Sequence, residues 1–172
     1  ISKHNKDAPI VLCSLGDASC TEGEVSEAFQ MAVLKKLPII YLVQDNEWDI
    51  SAKAEETRAQ DISYFAKGFK GLKVFTVDGT NFQESYDALK EGLKITRNRK
   101  GPVLIHAKVP LLNHHTSGVR MEWYRDDLDT HLLRDPLPIL KDLLIENGFK
   151  KTEIDKIILN SEKLVLQQYK KA

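Results

Sequence analysis

Two short apolar runs, at residues 10–13 (Ile-Val-Leu-Cys) and 39–43 (Ile-Ile-Tyr-Leu-Val), constrain this chain more than any other feature. Each is continuous rather than alternating, the pattern of a strand buried on both faces of a parallel sheet. Between them Val25, Ala28, Phe29, Ala32 and Val33 recur at three and four residues, the stripe of an amphipathic helix. Thr21 and Glu24 have the Thr-x-x-Glu spacing of a capping box at its start, and Pro38 ends it. Strand, helix and parallel strand make a right-handed crossover, with the turns after both strands on one sheet edge. In open parallel sheets that edge is where ligands bind.

The pattern continues along the chain. Residues 52–60 are polar and read as surface. Residues 61–69 read as a short helix, 72–77 as a strand, 82–98 as a helix with Tyr86, Leu89, Leu93 and Ile95 inward, and 103–109 as a strand. A helix follows Asp135-Pro136 and is capped by Gly148, and a last one begins at Thr152-Glu153. The expectation is a single domain over 1–172 of the α/β class. It is a three-layer, mostly parallel sheet with helices on both faces.

Composition removes several function classes. The 172 residues suffice for one core. Lys+Arg and Asp+Glu both number 25, so nothing chain-wide attracts nucleic acid or an anionic membrane. The apolar runs are too short to span a bilayer, and no signal peptide precedes the first strand. Cys13 and Cys20 form no disulfide framework and read as reduced thiols of a cytoplasmic protein. The chain begins at Ile1 without an initiator Met, which reads as a fragment or a processed chain.

The candidate site lies at the two turns. Gly16 permits a sharp turn after the first strand, and Asp17 follows it. Asn46 stands at the matching place after the second strand. A carboxylate and a carboxamide at neighbouring strand ends suit a hard divalent cation such as magnesium. The amides of residues 18–22 suit a phosphate. Spacing alone leaves open that both residues are turn formers. Residues 110–134 lack periodicity, and long connections of that kind commonly carry function. They hold Asn113-His114-His115-Thr116-Ser117-Gly118 and Trp123-Tyr124-Arg125-Asp126-Asp127. The His pair is by itself a metal-ligand candidate. His4 and His106 read as structural, and His131 reads as surface.

Gly16-Asp17, followed one crossover later by Asn46-x-Trp48-x-Ile50-Ser51, resembles the thiamin-diphosphate motif. Further stretches extend the likeness: Thr21-Glu22-Gly23, Val77-Asp78-Gly79, Gly101-Pro102-Val103-Leu104-Ile105, His114-His115-Thr116-Ser117 and Asp135-Pro136. Over roughly residues 9–165 the chain resembles the alpha part of the decarboxylating component of 2-oxo acid dehydrogenase complexes. The resemblance implies thiamin diphosphate and magnesium as cofactors. Asp17 and Asn46 would ligate the metal by side chain and Trp48 by its carbonyl. Gly16, Ala18, Ser19 and Ile50 would line the cofactor, and His115 would stand near its reacting ring. It further implies a 2-oxo acid substrate, a lipoyl acyltransferase, and a beta subunit or fused beta part holding the aminopyrimidine half. The diphosphate half would be truncated at its N-terminus. Ala18 replaces the motif's second Gly, Asp45 its first Asn, Gln44 an Arg of some branched-chain members, and Asn113 a Gly. Residues 118–123 lack the family's acidic, serine-rich stretch. A transketolase-like thiamin enzyme and a non-catalytic interaction domain are the competing readings.

Overall fold

The computed structural model describes residues 9–171; the polar leader at 1–8, with His4, lies outside them. Four strands form one parallel sheet: β1 (Val11–Gly16), β2 (Ile39–Asp45), β3 (Lys73–Asp78) and β4 (Val103–Lys108), in the order β1-β2-β4-β3. Helix α1 (Gly23–Lys35) joins β1 to β2, and α2 (Ala54–Thr57) and α3 (Ile62–Lys67) lie between β2 and β3. Helix α4 (Phe82–Arg97) returns the chain to β4. Then come α5 (Leu128–Leu132), α6 (Pro136–Glu146) and α7 (Lys151–Tyr169).

Strand order decides the layering. The chain moves outward from β1 through β2 to β3, then back to β4. Right-handed crossovers place helices on opposite faces when the direction reverses. Accordingly Phe29 and Ala32 of α1, with Ile62 and Ala66 of α3, pack on Tyr41, Val43 and Leu104. Ala88 of α4 packs on Ile40, Val103 and Ile105 across the sheet. The expected α/β class, with a parallel sheet and helices on both faces, is what the chain adopts. Strand β4 is buried throughout residues 103–107, its apolar Val103, Leu104, Ile105 and Ala107 interrupted only by His106.

Local details differ from expectation. Thr21 is no helix cap. It closes a 3-10 turn (Ala18–Thr21), donates its hydroxyl to Ala18 O at 2.8 Å, and leaves Glu22 as N-cap of α1. A hydroxyl next to a free carbonyl bonds locally rather than waiting for the next helix. On α4 Leu89, Leu93 and Ile95 pack on the core as expected, alongside the buried Ala88, Gly92 and Thr96, while Tyr86 is half exposed and stacks on Phe82. Small side chains let that helix lie close to the strands. Gly79 turns tightly after β3, where a Cβ would run into Val109 Cγ1 and Lys108 O.

The backbone divides into two compact units, the first ending at Asp135 and the second starting at Pro136. In the second, Lys141 Nζ meets Asp155 Oδ1 at 2.6 Å, and Gly148 ends α6 with φ +88°. Among the described residues no helix is long and apolar enough to cross a membrane.

Candidate functional site

All four strands point their C-terminal ends the same way, which brings Asp17, Asp45 and Asn46 together. Asp17 follows β1 and is 3% exposed; Asp45 ends β2 and is 1% exposed. Their shared counter-ion is Arg58, just beyond α2. Its Nη1 donates to Asp17 Oδ2 at 2.7 Å, and its Nη2 donates to Asp45 Oδ1 and Oδ2 at 2.8 and 3.0 Å. The same Nη2 lies 3.5 Å from Asp61 Oδ1. Residues 52–60 were expected to be surface, and for Arg58 that expectation fails. Two carboxylates buried at neighbouring strand ends need a cation, and the nearest long basic side chain supplies it.

Asp45 is held from the other side too. His106 of β4 is fully buried and brings Nε2 to Asp45 Oδ2 at 2.7 Å. A carboxylate only accepts, so Nε2 carries the proton there. Glu47 N donates to Asp45 Oδ1 at 3.1 Å, and Glu47 adopts φ +65°. A non-glycine residue in that region costs about 1 kcal/mol, which the turn between Asn46 and Trp48 sustains. His106, read from sequence as structural, is buried in the sheet against Asp45.

The two acids titrate in opposite directions. Burial and the Asp45 charge raise Asp17 to about 6, despite Arg58. Burial also acts to raise Asp45, but hydrogen bonds from His106 and Arg58 outweigh it and hold that carboxyl well below its usual range. The Asp17 charge therefore lacks full compensation. Asp45, Asp61 and His106 also gather ligand atoms within 4.8 Å of one another, but Arg58 and Lys108 already sit on that cluster.

The donor set suits a hard cation. Asp17 Oδ1 receives Asn46 N at a long 3.5 Å. Asn46 is half buried, and its Oδ1 accepts from Trp48 N at 3.0 Å. Trp48 pairs with Lys53 in an antiparallel bridge whose bonds run Asp49 N to Ala52 O and Ala54 N to Glu47 O. That is the non-bonded pair of the bridge, so the Trp48 carbonyl stays outside it. These are the oxygen types magnesium takes. The first bond of the 3-10 turn runs from Cys20 N to Asp17 O at 3.2 Å, so the Ala18 and Ser19 amides precede it and have no helical acceptor. Ala18 is not among the residues with positive φ, so its substitution for Gly carries no backbone strain. Gly16 is exposed at the strand end, and Ile50 is 45% exposed beyond Trp48.

Trp48 is also tied to the long segment after β4. Its Nε1 donates to Asp127 Oδ2 at 2.7 Å, its ring lies edge-on to Tyr124, and the Arg125 guanidinium stands 5.3 Å from its centroid. Asp127 further accepts from Arg125 Nε at 2.8 Å and pairs with His131 Nε2 at 3.1 Å. His131, expected at the surface, is 5% exposed. Its Nδ1 accepts from Leu111 N at 2.8 Å, and burial with the Arg125 charge lowers its pKa. Apolar periodicity could not flag it, since it is buried by polar bonds. His115 is exposed on this segment. Its neighbour His114 accepts from Met121 N at 3.3 Å. Among the described residues no hydrogen bond links His115 to Asp17 or Asn46.

A family model for the dehydrogenase E1 component matches residues 1–172. The chain belongs to this family. Among relatives of this E1 chain, the pyruvate dehydrogenase E1 component subunit alpha of Rickettsia bellii is 27% identical over 96% of the chain and 51% of its own length. The 3-methyl-2-oxobutanoate dehydrogenase subunit alpha of Mycobacterium tuberculosis is 28% identical over 95% of the chain and 45% of its own length. The chain thus spans about half the length of the curated relatives it matches. A transketolase from Campylobacter jejuni superposes with a TM-score of 0.53 and 26% identity, over 59% of this chain and 15% of that one.

Proposed function

We propose that this E1 chain supplies the magnesium-diphosphate half of a thiamin-diphosphate-dependent 2-oxo acid dehydrogenase. The carrying observation is the approach of Asp17 and Asn46, one crossover apart in sequence, to 3.5 Å at the C-terminal sheet edge. Asp17 and Asn46 hold magnesium by side chain and Trp48 by its carbonyl, while the Ala18 and Ser19 amides donate to the diphosphate and Gly16 and Ile50 border it. When bound, thiamin diphosphate supplies the carbon nucleophile and electron sink for decarboxylation. His115, on its exposed segment, would hold or move a proton for the bound cofactor. A lipoyl acyltransferase receives the acyl group, and a beta subunit or fused beta part supplies the aminopyrimidine half. Both compact units count as one domain of that enzyme, inactive without the aminopyrimidine half. The free Cys13 and Cys20 suit a reducing, cytoplasmic setting.

The test is calorimetric titration of magnesium and thiamin diphosphate into the full chain with its partner half. Asp17→Ala should abolish binding, and tight binding by that variant would end the metal assignment. A panel of 2-oxo acids on the assembled enzyme then identifies the substrate. Turnover of a sugar phosphate instead would favour a transketolase-like enzyme.

A further inference from the structure

Arg58 is the most heavily engaged side chain of the site. Its grip is uneven. Nη2 bonds both oxygens of Asp45, whereas Asp17 is held through one bond from Nη1. The anchors behind the two acids differ in the same sense. Asp45 is fixed by His106 Nε2 at 2.7 Å and Glu47 N at 3.1 Å. Asp17 has behind it the long 3.5 Å approach of Asn46 N and its own backbone amide, with no side-chain anchor like His106. Asp17 is therefore the end of the bridge that can be released.

Space exists for the release. A cavity of about 480 Å³ lined by Glu47, Trp48, Lys53 and Asp126 reaches Arg58 from one side. A second of about 330 Å³, lined by Asp17, Thr21, Gly23 and Ser26, reaches it from the other. Arg58 has extended backbone (φ −146°, ψ 142°) beyond the last turn of α2, so its side chain can move without unwinding a helix.

Charge supplies the reason. Two buried carboxylates against one guanidinium leave the cluster net negative, and a divalent cation on Asp17 turns it net positive. Arg58 and that cation cannot share one Asp17 carboxylate without facing each other at short range in a poorly screened site.

We propose that Arg58 is a placeholder cation: it occupies Asp17 while the site lacks metal, yields Asp17 when a divalent cation arrives, and stays on Asp45. The freed Nη1 then offers a charged donor to the diphosphate. This rests on the proposed magnesium-diphosphate reading. The inference assigns Arg58 two opposed effects, against metal alone and in favour of metal with diphosphate.

The opposition is measurable on the full chain, with Mn²⁺ as an electron-spin probe and inorganic pyrophosphate as the anion. Arg58→Gln should bind Mn²⁺ alone about 10-fold more tightly than wild type and Mn²⁺-pyrophosphate about 10-fold less tightly, the scale of one charge-assisted bond. Arg58→Lys, which keeps the charge, should fall between the two. Thermal melting identifies any variant that fails to fold. Wild type answers the question without substitution: the Arg58 guanidinium resonances should move when Mg²⁺ and pyrophosphate are added. Metal binding with those resonances fixed, or a folded Arg58→Gln chain with unchanged or weaker Mn²⁺ binding, overturns the placeholder role. Asp17→Asn should lose Mn²⁺ with or without Arg58; if it retains Mn²⁺, the metal assignment fails rather than the role of Arg58.

Discussion

Asp17 carries the sharpest conflict between stability and function in this chain. Removing one partner of a balanced buried ion pair usually costs several kcal/mol. This cluster is unbalanced, since Asp17 and Asp45 share Arg58. Asp17→Asn leaves the Arg58–Asp45 pair one to one. Without metal at pH 7 its urea unfolding free energy should match or exceed wild type, by up to about 2 kcal/mol; a clear loss would refute the charge excess. The pH dependence has a definite sign. The folded value of Asp17, about 6, exceeds the ordinary 3.8. The folded chain then binds that proton more tightly, so the contribution of Asp17 is present below about pH 4 and lost as pH rises to about 6. The stability gap between metal-free wild type and Asp17→Asn should widen over that window. Asp45, with a lowered folded value, contributes above the ordinary range and loses that contribution in stronger acid. Asp17 and Asn46 were legible because strand ends follow apolar runs. Arg58 was not: it sits in a polar segment without periodicity, and only the burial of two acids creates the demand that it meets.

The turn after β2 and the segment after β4 act as one element through Asp127. That carboxylate receives Trp48 Nε1 and Arg125 Nε and pairs with His131. Burial acts to raise it, but the bonds from Arg125 and Trp48 hold its pKa below the usual range. Asp127→Ala leaves the indole N–H and two side chains short of an acceptor, a cost of about 2–3 kcal/mol. Hydrogen exchange should then quicken across residues 110–127, while the amides of β4 keep their protection. Unchanged exchange in that segment would show that the tie to Trp48 is incidental. A tight approach governs the turn after β3, where Gly79→Ala should cost about 1–3 kcal/mol in thermal or urea unfolding. Strands and helices were readable here because continuous apolar runs and 3.6-residue stripes record burial directly. The start of α1 was misread because Thr21 bonds back to Ala18, a choice between two local acceptors that spacing cannot resolve. The segment at 110–134 was legible only as irregular, since polar bonds rather than apolar faces fix it.

At the scale of the whole chain, an open edge and zero net charge act together. Among the described residues strand β1 pairs with β2 alone, and Val11 and Leu12 on it are 54% and 55% exposed. An apolar edge strand is a template for pairing with another chain. Lys+Arg and Asp+Glu are equal at 25 each, so near neutral pH no long-range repulsion keeps copies apart. The chain at this length should therefore associate reversibly as its concentration rises. Association should be strongest near pH 7 and weaker at pH 9, where the chain becomes net negative. Leu12→Lys places a charge on the exposed edge without touching either core cluster. It should lower the association measured by light scattering while leaving the melting temperature at low concentration within about 2 °C of wild type, as expected of a surface change worth under about 0.5 kcal/mol. If Leu12→Lys associates as strongly as wild type, the β1 edge is not the contact. If it melts much lower, Leu12 carries packing that its exposure conceals.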